Sequence, residues 1–152
     1  MNDLVIQTNS VEETHLLGVK LGKAAKENMV FLLDGDLGAG KTTLTQGIAK
    51  GLGVKRNVTS PTFTIQKIYH GTKMNLYHID AYRMEGIEQD LGFDEYLYDD
   101  GLTVIEWSQF MSYLIPDTYL KISIRLLEEN KREFRFEAVG DEYKKLLEDI
   151  SE

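Results

Sequence analysis

The sequence contains no cysteine, which excludes disulfides, thiolate metal sites and cysteine nucleophiles. No apolar run approaches the ~20 residues of a membrane span. The start, Met1-Asn2-Asp3-Leu4, lacks the basic flank and apolar core of a secretory signal. A cytosolic protein with no membrane association is therefore expected. Basic residues are also in deficit, with Lys+Arg 17 against Asp+Glu 25 and a net charge of -8. A chain that gripped a polyanion directly would need a basic face to release counterions, so any involvement with nucleic acid should run through a partner protein. There are no internal repeats and no low-complexity linkers. At 152 residues, 42% hydrophobic and 28% charged, the composition is that of a globular protein, and the length predicts one domain over 1–152 with a sizeable core.

Against these absences stands one strongly patterned stretch, Gly35-Asp36-Leu37-Gly38-Ala39-Gly40-Lys41-Thr42-Thr43. It satisfies G-x-x-x-x-G-K-[ST], with the apolar run Met29-Val30-Phe31-Leu32-Leu33 before it and a helical pattern after it. Glycines allow successive backbone N–H groups to turn inward onto phosphate oxygens, and the helix N-terminus adds partial positive charge. Lys41 brings a full charge to the β/γ oxygens, and the hydroxyl of Thr42 is placed to ligate Mg²⁺.

The rest of the chain reads as an α/β fold. Leu4-Val5-Ile6 is a short strand, and Ser10 with Glu13 forms a capping box for a helix carrying Val11, Leu16, Leu17, Val19 and Leu21. The helix after Gly40 shows Leu44, Ile48 and Leu52 at four-residue spacing, with Gly51 and Gly53 as its stop. Pro61 cannot lie inside a central strand, so Ser60-Pro61 is a loop that launches an extended run from Thr62 to Tyr69. Gly71-Thr72 turns the chain into Met74 to Asp80, a hairpin. Residues 86–100, acid-rich with interleaved aromatics, predict short helices with an acidic outer face. Leu102 to Ile105 is a buried strand ending in Glu106-Trp107. The alternations Leu120, Ile122, Ile124, Leu126 and Phe134, Phe136, Ala138 predict a second hairpin across residues 129–132, and Tyr143, Leu146, Leu147 and Ile150 mark a last helix. The expected architecture is a P-loop NTPase of three layers, a mixed sheet flanked by helices with a C-terminal antiparallel hairpin. Its ligand should lie outside the carboxyl ends of the parallel strands.

A phosphate cradle needs an acid for Mg²⁺ or its waters at the end of a neighbouring strand. Glu106 and Asp80 both qualify. One would hold the metal with Thr42 while the other orients or deprotonates the attacking water, and the sequence leaves their order open.

Four segments taken together, the cradle, Ser60-Pro61-Thr62-Phe63, His78-Ile79-Asp80-Ala81-Tyr82-Arg83 and Ile105-Glu106-Trp107, resemble in order and spacing the TsaE (YjeE) family. The resemblance implies an ATPase subunit of the bacterial machinery that makes N6-threonylcarbamoyladenosine at position 37 of tRNAs reading ANN codons. It implies TsaB and TsaD as partners, with tRNA held only through them, TsaD carrying the transfer chemistry and a TsaC-type enzyme supplying threonylcarbamoyl-adenylate. Carried over by residue, the stretch Asp36, Leu37, Gly38, Ala39, Gly40, Lys41, Thr42 and Thr43 binds ATP. Thr42 and Glu106 hold Mg²⁺, Asp80 and Trp107 are functional, and Ser60, Pro61, Thr62 and Phe63 form a nucleotide-responsive switch. Where the family often has Gly-Arg near the nucleotide, this chain has Lys131-Arg132, so only Arg132 carries over, on the base or ribose side. Thr8 to Ser10 line the adenine or serve only as the helix cap.

Other assignments compete. His78 and Asp80 share a strand face and could pair on a transition metal, though three histidines and no cysteines argue against zinc. Asn130-Lys131-Arg132-Glu133 partly matches the guanine signature N-K-x-D but ends in Glu and falls in a hairpin turn. Trp107 either packs in the core or covers part of the site. Arg83 is either a charge-stabilising finger or a salt-bridge partner of the acids that follow it. The acid run itself is either a solvated face or a docking surface for partners. At the level of function the alternatives are a small P-loop kinase, for which no arginine-bearing lid insertion is evident, and a nucleotide-binding module without turnover.

Overall fold

The computed structural model describes residues 2–35, 40–55, 66–80, 101–106, 115–128 and 130–151. Among these, strands β1 (Asp3–Thr8), β2 (Val30–Gly35), β3 (Gln66–Tyr69), β4 (Asn75–Asp80), β5 (Gly101–Glu106), β6 (Tyr119–Glu128) and β7 (Lys131–Val139) alternate with helices α1 (Val11–Ala24), α2 (Lys41–Gly51) and α3 (Asp141–Ser151). All seven strands join one sheet in the order β1-β7-β6-β2-β5-β4-β3. The four inner strands β6, β2, β5 and β4 run parallel. The flanking pairs β1/β7, β7/β6 and β3/β4 are antiparallel. The mixed sheet and both hairpins expected from the sequence are therefore present.

Strand composition explains the order. Val30 to Leu33 and all of β5 are buried, the continuous apolar pattern of strands covered on both faces. The alternation in β7 buries Phe134, Phe136 and Ala138 and exposes the residues between. One side of the sheet presents Phe31, Leu33, Leu102, Val104, Ile122, Phe134 and Phe136 to a single core shared with all three helices. Leu32, Ile79 and Ile105 are buried as well, at the alternate positions of their strands. The short helices expected over 86–100, which would supply a third layer, lie outside the described residues, as do Arg83, Ser60 to Phe63 and Trp107.

The expected cap of α1 forms, with Ser10 Oγ accepting from the Glu13 N–H at 3.1 Å; the return bond is shifted by one residue, Glu13 Oε1 accepting at 3.1 Å from the N–H of Asn9 rather than of Ser10. The buried face of α1 differs from the expected one. Val11 and Leu16 are 57% and 61% exposed, whereas Thr14, Leu17, Gly18, Leu21 and Gly22 are buried. The cause is a glycine seam. A Cβ on Gly18 would stand 2.4 Å from the Leu44 carbonyl oxygen, and one on Gly47 would stand 2.2 Å from that of His15. Gly22 and Gly51 repeat the contact one turn on, with Cβ positions 2.2 Å from the Ile48 oxygen and 2.5 Å from the Val19 oxygen. The two helices thus meet backbone to backbone, as small residues at four-residue spacing permit. Gly51, expected only as a stop signal, is part of this seam. Gly53 makes the stop, with φ +85 and its N–H donating to the Lys50 carbonyl at 3.0 Å.

Two long-range contacts hold the ends. Tyr143 on α3 accepts from the Val30 N–H at 2.8 Å, and burial pushes its phenol up to about 12. Lys73, in the β3–β4 connection, donates to the Gly22 carbonyl at 3.1 Å and also to that of Lys23 at the C-terminal end of α1, where a cation complements the helix dipole. In β6 the alternation breaks at Leu126, which is exposed beside an irregularity between Leu126 and Glu128.

Candidate functional site

The parallel strands all point their carboxyl ends to one edge of the fold. There β2 ends at Gly35, β5 at Glu106 and β4 at Asp80. Glu106 lies opposite Leu33 in one ladder and opposite Asp80 in the other, so the backbone alone brings the two candidate acids to the strand ends flanking the cradle. Residues 36–39 lie outside those described. Beyond them the chain enters α2 through Gly40, whose φ of 109 favours glycine, and Lys41 is the first helical residue.

Lys41 is buried, and its Nζ donates to the Gly35 carbonyl at 2.8 Å. The same nitrogen is 4.0 Å from Glu106 Oε1. Lys41, expected from the motif, and Glu106, expected from the strand end, are thus brought together across the mouth of β2. Thr42 and Thr43 are half-buried in the first turn of α2. Thr45 donates its hydroxyl to the Lys41 carbonyl at 2.8 Å.

Two contributors were not expected from the sequence. His78 is fully buried, and its Nε2 is 2.6 Å from Glu106 Oε2. From sequence, His78 could pair with Asp80 on a transition metal, a pairing the composition argues against; the structure aims its ring at Glu106 on the adjoining strand, and the side chain of Asp80 lies outside the described residues. The sequence signal is only that a histidine sits inside an apolar strand; its partner follows from the register of β4 beside β5. The second is Asp34, immediately before Gly35. Its Oδ1 is buried with no partner among the described residues, and its Oδ2 is 3.9 Å from Lys121 Nζ. Burial pushes the Asp34 carboxyl above its ordinary value, against the opposing pull of Lys121 and Lys41.

Beside the cradle, a shallow pocket is lined by Ser10, Val11, Thr14, Gly40, Thr43, Asn130 and Arg132. Arg132 belongs to strand β7, opposite Thr8 and Leu126, rather than to the turn predicted around it. The ladder runs to the hairpin tip because Thr8 of β1 pairs with this end of β7. The guanidinium lies against Gly40, with Nε 3.7 Å from where a Gly40 Cβ would be. Thr8 stands behind the pocket: its hydroxyl shares a 2.7 Å hydrogen bond with that of Thr14. Ser10 both caps α1 and lines the pocket. Asp36 to Ala39, the segment 60–63 and Trp107 lie outside the described residues, as does the side chain of Asp80.

No three His, Asp or Glu side chains converge among the described residues, and no described helix is long and apolar enough to cross a membrane.

Residues 8–134 match the family described as "Threonylcarbamoyl adenosine biosynthesis protein TsaE". The chain is 44% identical over 151 residues to the tRNA threonylcarbamoyladenosine biosynthesis protein TsaE of Bacillus subtilis, covering 99% of this chain and 96% of that one. It is 39% identical over 128 residues to TsaE of Treponema pallidum, covering 83% and 94% of the two chains. A crystal structure of Bacillus subtilis YdiB superimposes with a TM-score of 0.81 at 37% identity, covering 98% of this chain and 94% of that one. With the strand-end cluster in place and a family match over most of its length, the chain belongs to the TsaE family.

Proposed function

We propose that this protein is a P-loop NTPase that binds and hydrolyses Mg-ATP and serves, with TsaB and TsaD, the threonylcarbamoyl modification of adenosine 37 in ANN-decoding tRNAs. The observation that carries the proposal is the meeting of Lys41 and Glu106 at the carboxyl ends of β2 and β5. This pairs a cation for phosphate with a buried acid at the place where parallel sheets take ligands. The TsaE relatives, named for tRNA threonylcarbamoyladenosine biosynthesis, support the pathway.

The residues fit the roles. Lys41 opens α2 with its ammonium on the carbonyl of Gly35, the last residue of β2, a contact that incoming phosphate oxygens would replace. The Thr42 hydroxyl and the Glu106 carboxylate would hold Mg²⁺, a hard cation that needs few protein oxygens because it keeps several waters. Bound there, the metal supplies charge neutralisation at the β- and γ-phosphate oxygens. Asp80, opposite Glu106 in the ladder, is then left to orient the attacking water. Arg132 and the pocket around Ser10 and Thr43 take the nucleoside side. The switch role of Ser60 to Phe63 and the cover supplied by Trp107 rest on the sequence resemblance alone. The net charge of -8 suits a subunit that leaves the tRNA to its partners and works in the cytoplasm.

Turnover by the free chain should be slow, on the order of 10⁻³ to 10⁻² s⁻¹ for a P-loop switch without a supplied arginine. The test is phosphate release from Mg-ATP by the chain alone and with TsaB and TsaD added, using Lys41→Ala as the blank. Slow release that rises with both partners supports the proposal. A rate indifferent to them detaches the chain from that complex, and a rate that instead depends on an added nucleoside or metabolite replaces the ATPase with a kinase.

A further inference from the structure

We infer that His78 is a positioning residue for Glu106, fixing which carboxylate oxygen is turned toward Lys41 and the phosphate site. This rests on Glu106 as the metal-holding acid proposed above.

His78 lies opposite Val104 in the β4–β5 ladder, and Glu106 lies two residues beyond Val104. Alternation along a strand therefore puts both side chains on one face, diagonally adjacent. The 2.6 Å contact joins Nε2 to Oε2, while Oε1 is the oxygen 4.0 Å from Lys41. The two oxygens of one carboxylate are thus divided between two cations or donors. A glutamate carboxylate turns readily about its last torsion, which is broad and roughly two-fold. An N–H on one oxygen removes that freedom and presents the other in a constant direction.

The ring's own surroundings select the donor. His78 Nδ1 is buried with no partner among the described residues. A hydrogen placed there would find no acceptor among the described residues, whereas a bare lone pair costs less to bury, so the contact favours the tautomer with its hydrogen on Nε2, donated to Glu106. An imidazole in the otherwise apolar stretch Leu76 to Ile79 is poorly suited to core packing. The contact with Glu106 accounts for its place. Partners of this kind typically govern metal affinity by ~10–100-fold.

The experiment compares wild type, His78→Leu, His78→Gln and Glu106→Ala. Calorimetry measures ATP affinity with Mg²⁺ and with EDTA, thermal unfolding is recorded for each, and ¹⁵N NMR of the metal-free, nucleotide-free wild type reports ring tautomers. His78→Leu is expected to lose ~10-fold or more of the Mg²⁺-dependent gain in affinity while its affinity in EDTA stays within about two-fold. His78→Gln, whose amide N–H reaches the place of Nε2, should restore most of the gain. The His78 ring should show the Nε2–H tautomer. An unchanged Mg²⁺ gain in His78→Leu, an equal loss in His78→Gln, or an Nδ1–H tautomer would overturn the inference. If Glu106→Ala loses the gain while His78→Leu keeps it, only the positioning role falls. If Glu106→Ala keeps it, the metal role of Glu106 falls and takes this inference with it.

Discussion

Helix α2 belongs to two regions built on opposite principles. Along its body, Gly47 and Gly51 meet Gly18 and Gly22 of α1 with no room for a methyl group. At its first residue, Lys41 enters a buried group of ionisable side chains with Glu106 and His78, in which His78 Nδ1 is buried with no hydrogen-bond partner among the described residues. The seam is optimised for contact. The cluster retains buried polar atoms that a purely structural core would have replaced with hydrocarbon. Their difference separates what holds α2 in place from the role proposed for its first residue.

Substitutions at each region should therefore give different signatures. Glu106→Ala should leave the chain folded and remove the Mg²⁺ dependence of ATP hydrolysis, measured as phosphate release against metal concentration. A retained metal response would move that role to Asp80. Gly47→Ala should act in the opposite sense, because its methyl group must push against the His15 carbonyl. A loss of about 1–3 kcal/mol is expected, read as a lower unfolding midpoint in denaturant, with ATP affinity unchanged at low temperature. An unchanged midpoint would mean that the helices can part without cost.

Tyr143→Phe, remote from the cluster, should cost about 1–3 kcal/mol because the buried Val30 N–H loses its acceptor. No effect in the same denaturant assay would mean that water replaces the phenol. The smallest effect is expected at Asp34. Its folded-state pKa is raised by burial, so the folded chain binds the proton more tightly than the unfolded one. Stability then falls as pH rises from the ordinary aspartate value through the raised one. Asp34→Asn should flatten that slope and slightly raise the midpoint at neutral pH, leaving the two proteins alike in acid. A steeper slope in the variant would show that Lys121 outweighs burial.

How far the two regions could be read from sequence follows from what each depends on. The cap at Ser10, the apolar strands and the α3 stripe are local patterns of spacing, and the structure reproduces them; the cradle is equally local, though its residues 36–39 lie outside those described. The α1 face was misjudged because apolar periodicity weights Val11 and Leu16 and gives glycine no packing value, although Gly18-x-x-x-Gly22 and Gly47-x-x-x-Gly51 were there to be paired. Lys41 and Glu106 were legible as strand-end and motif residues. The aim of His78 was not, since it depends on β4 lying parallel to β5 in a particular register. Arg132 was placed in a turn because the pairing of β7 with Thr8 on β1 is likewise a contact between distant segments.

The most direct test of the contrast is calorimetric titration of Mg-ATP into wild type, Lys41→Ala and Gly47→Ala under conditions where all three are folded. Saturable one-site binding by wild type and Gly47→Ala, with none by Lys41→Ala, is the result expected if the strand-end cluster is the phosphate site and the seam only supports it. Equal binding by Lys41→Ala and wild type would contradict the account at its centre.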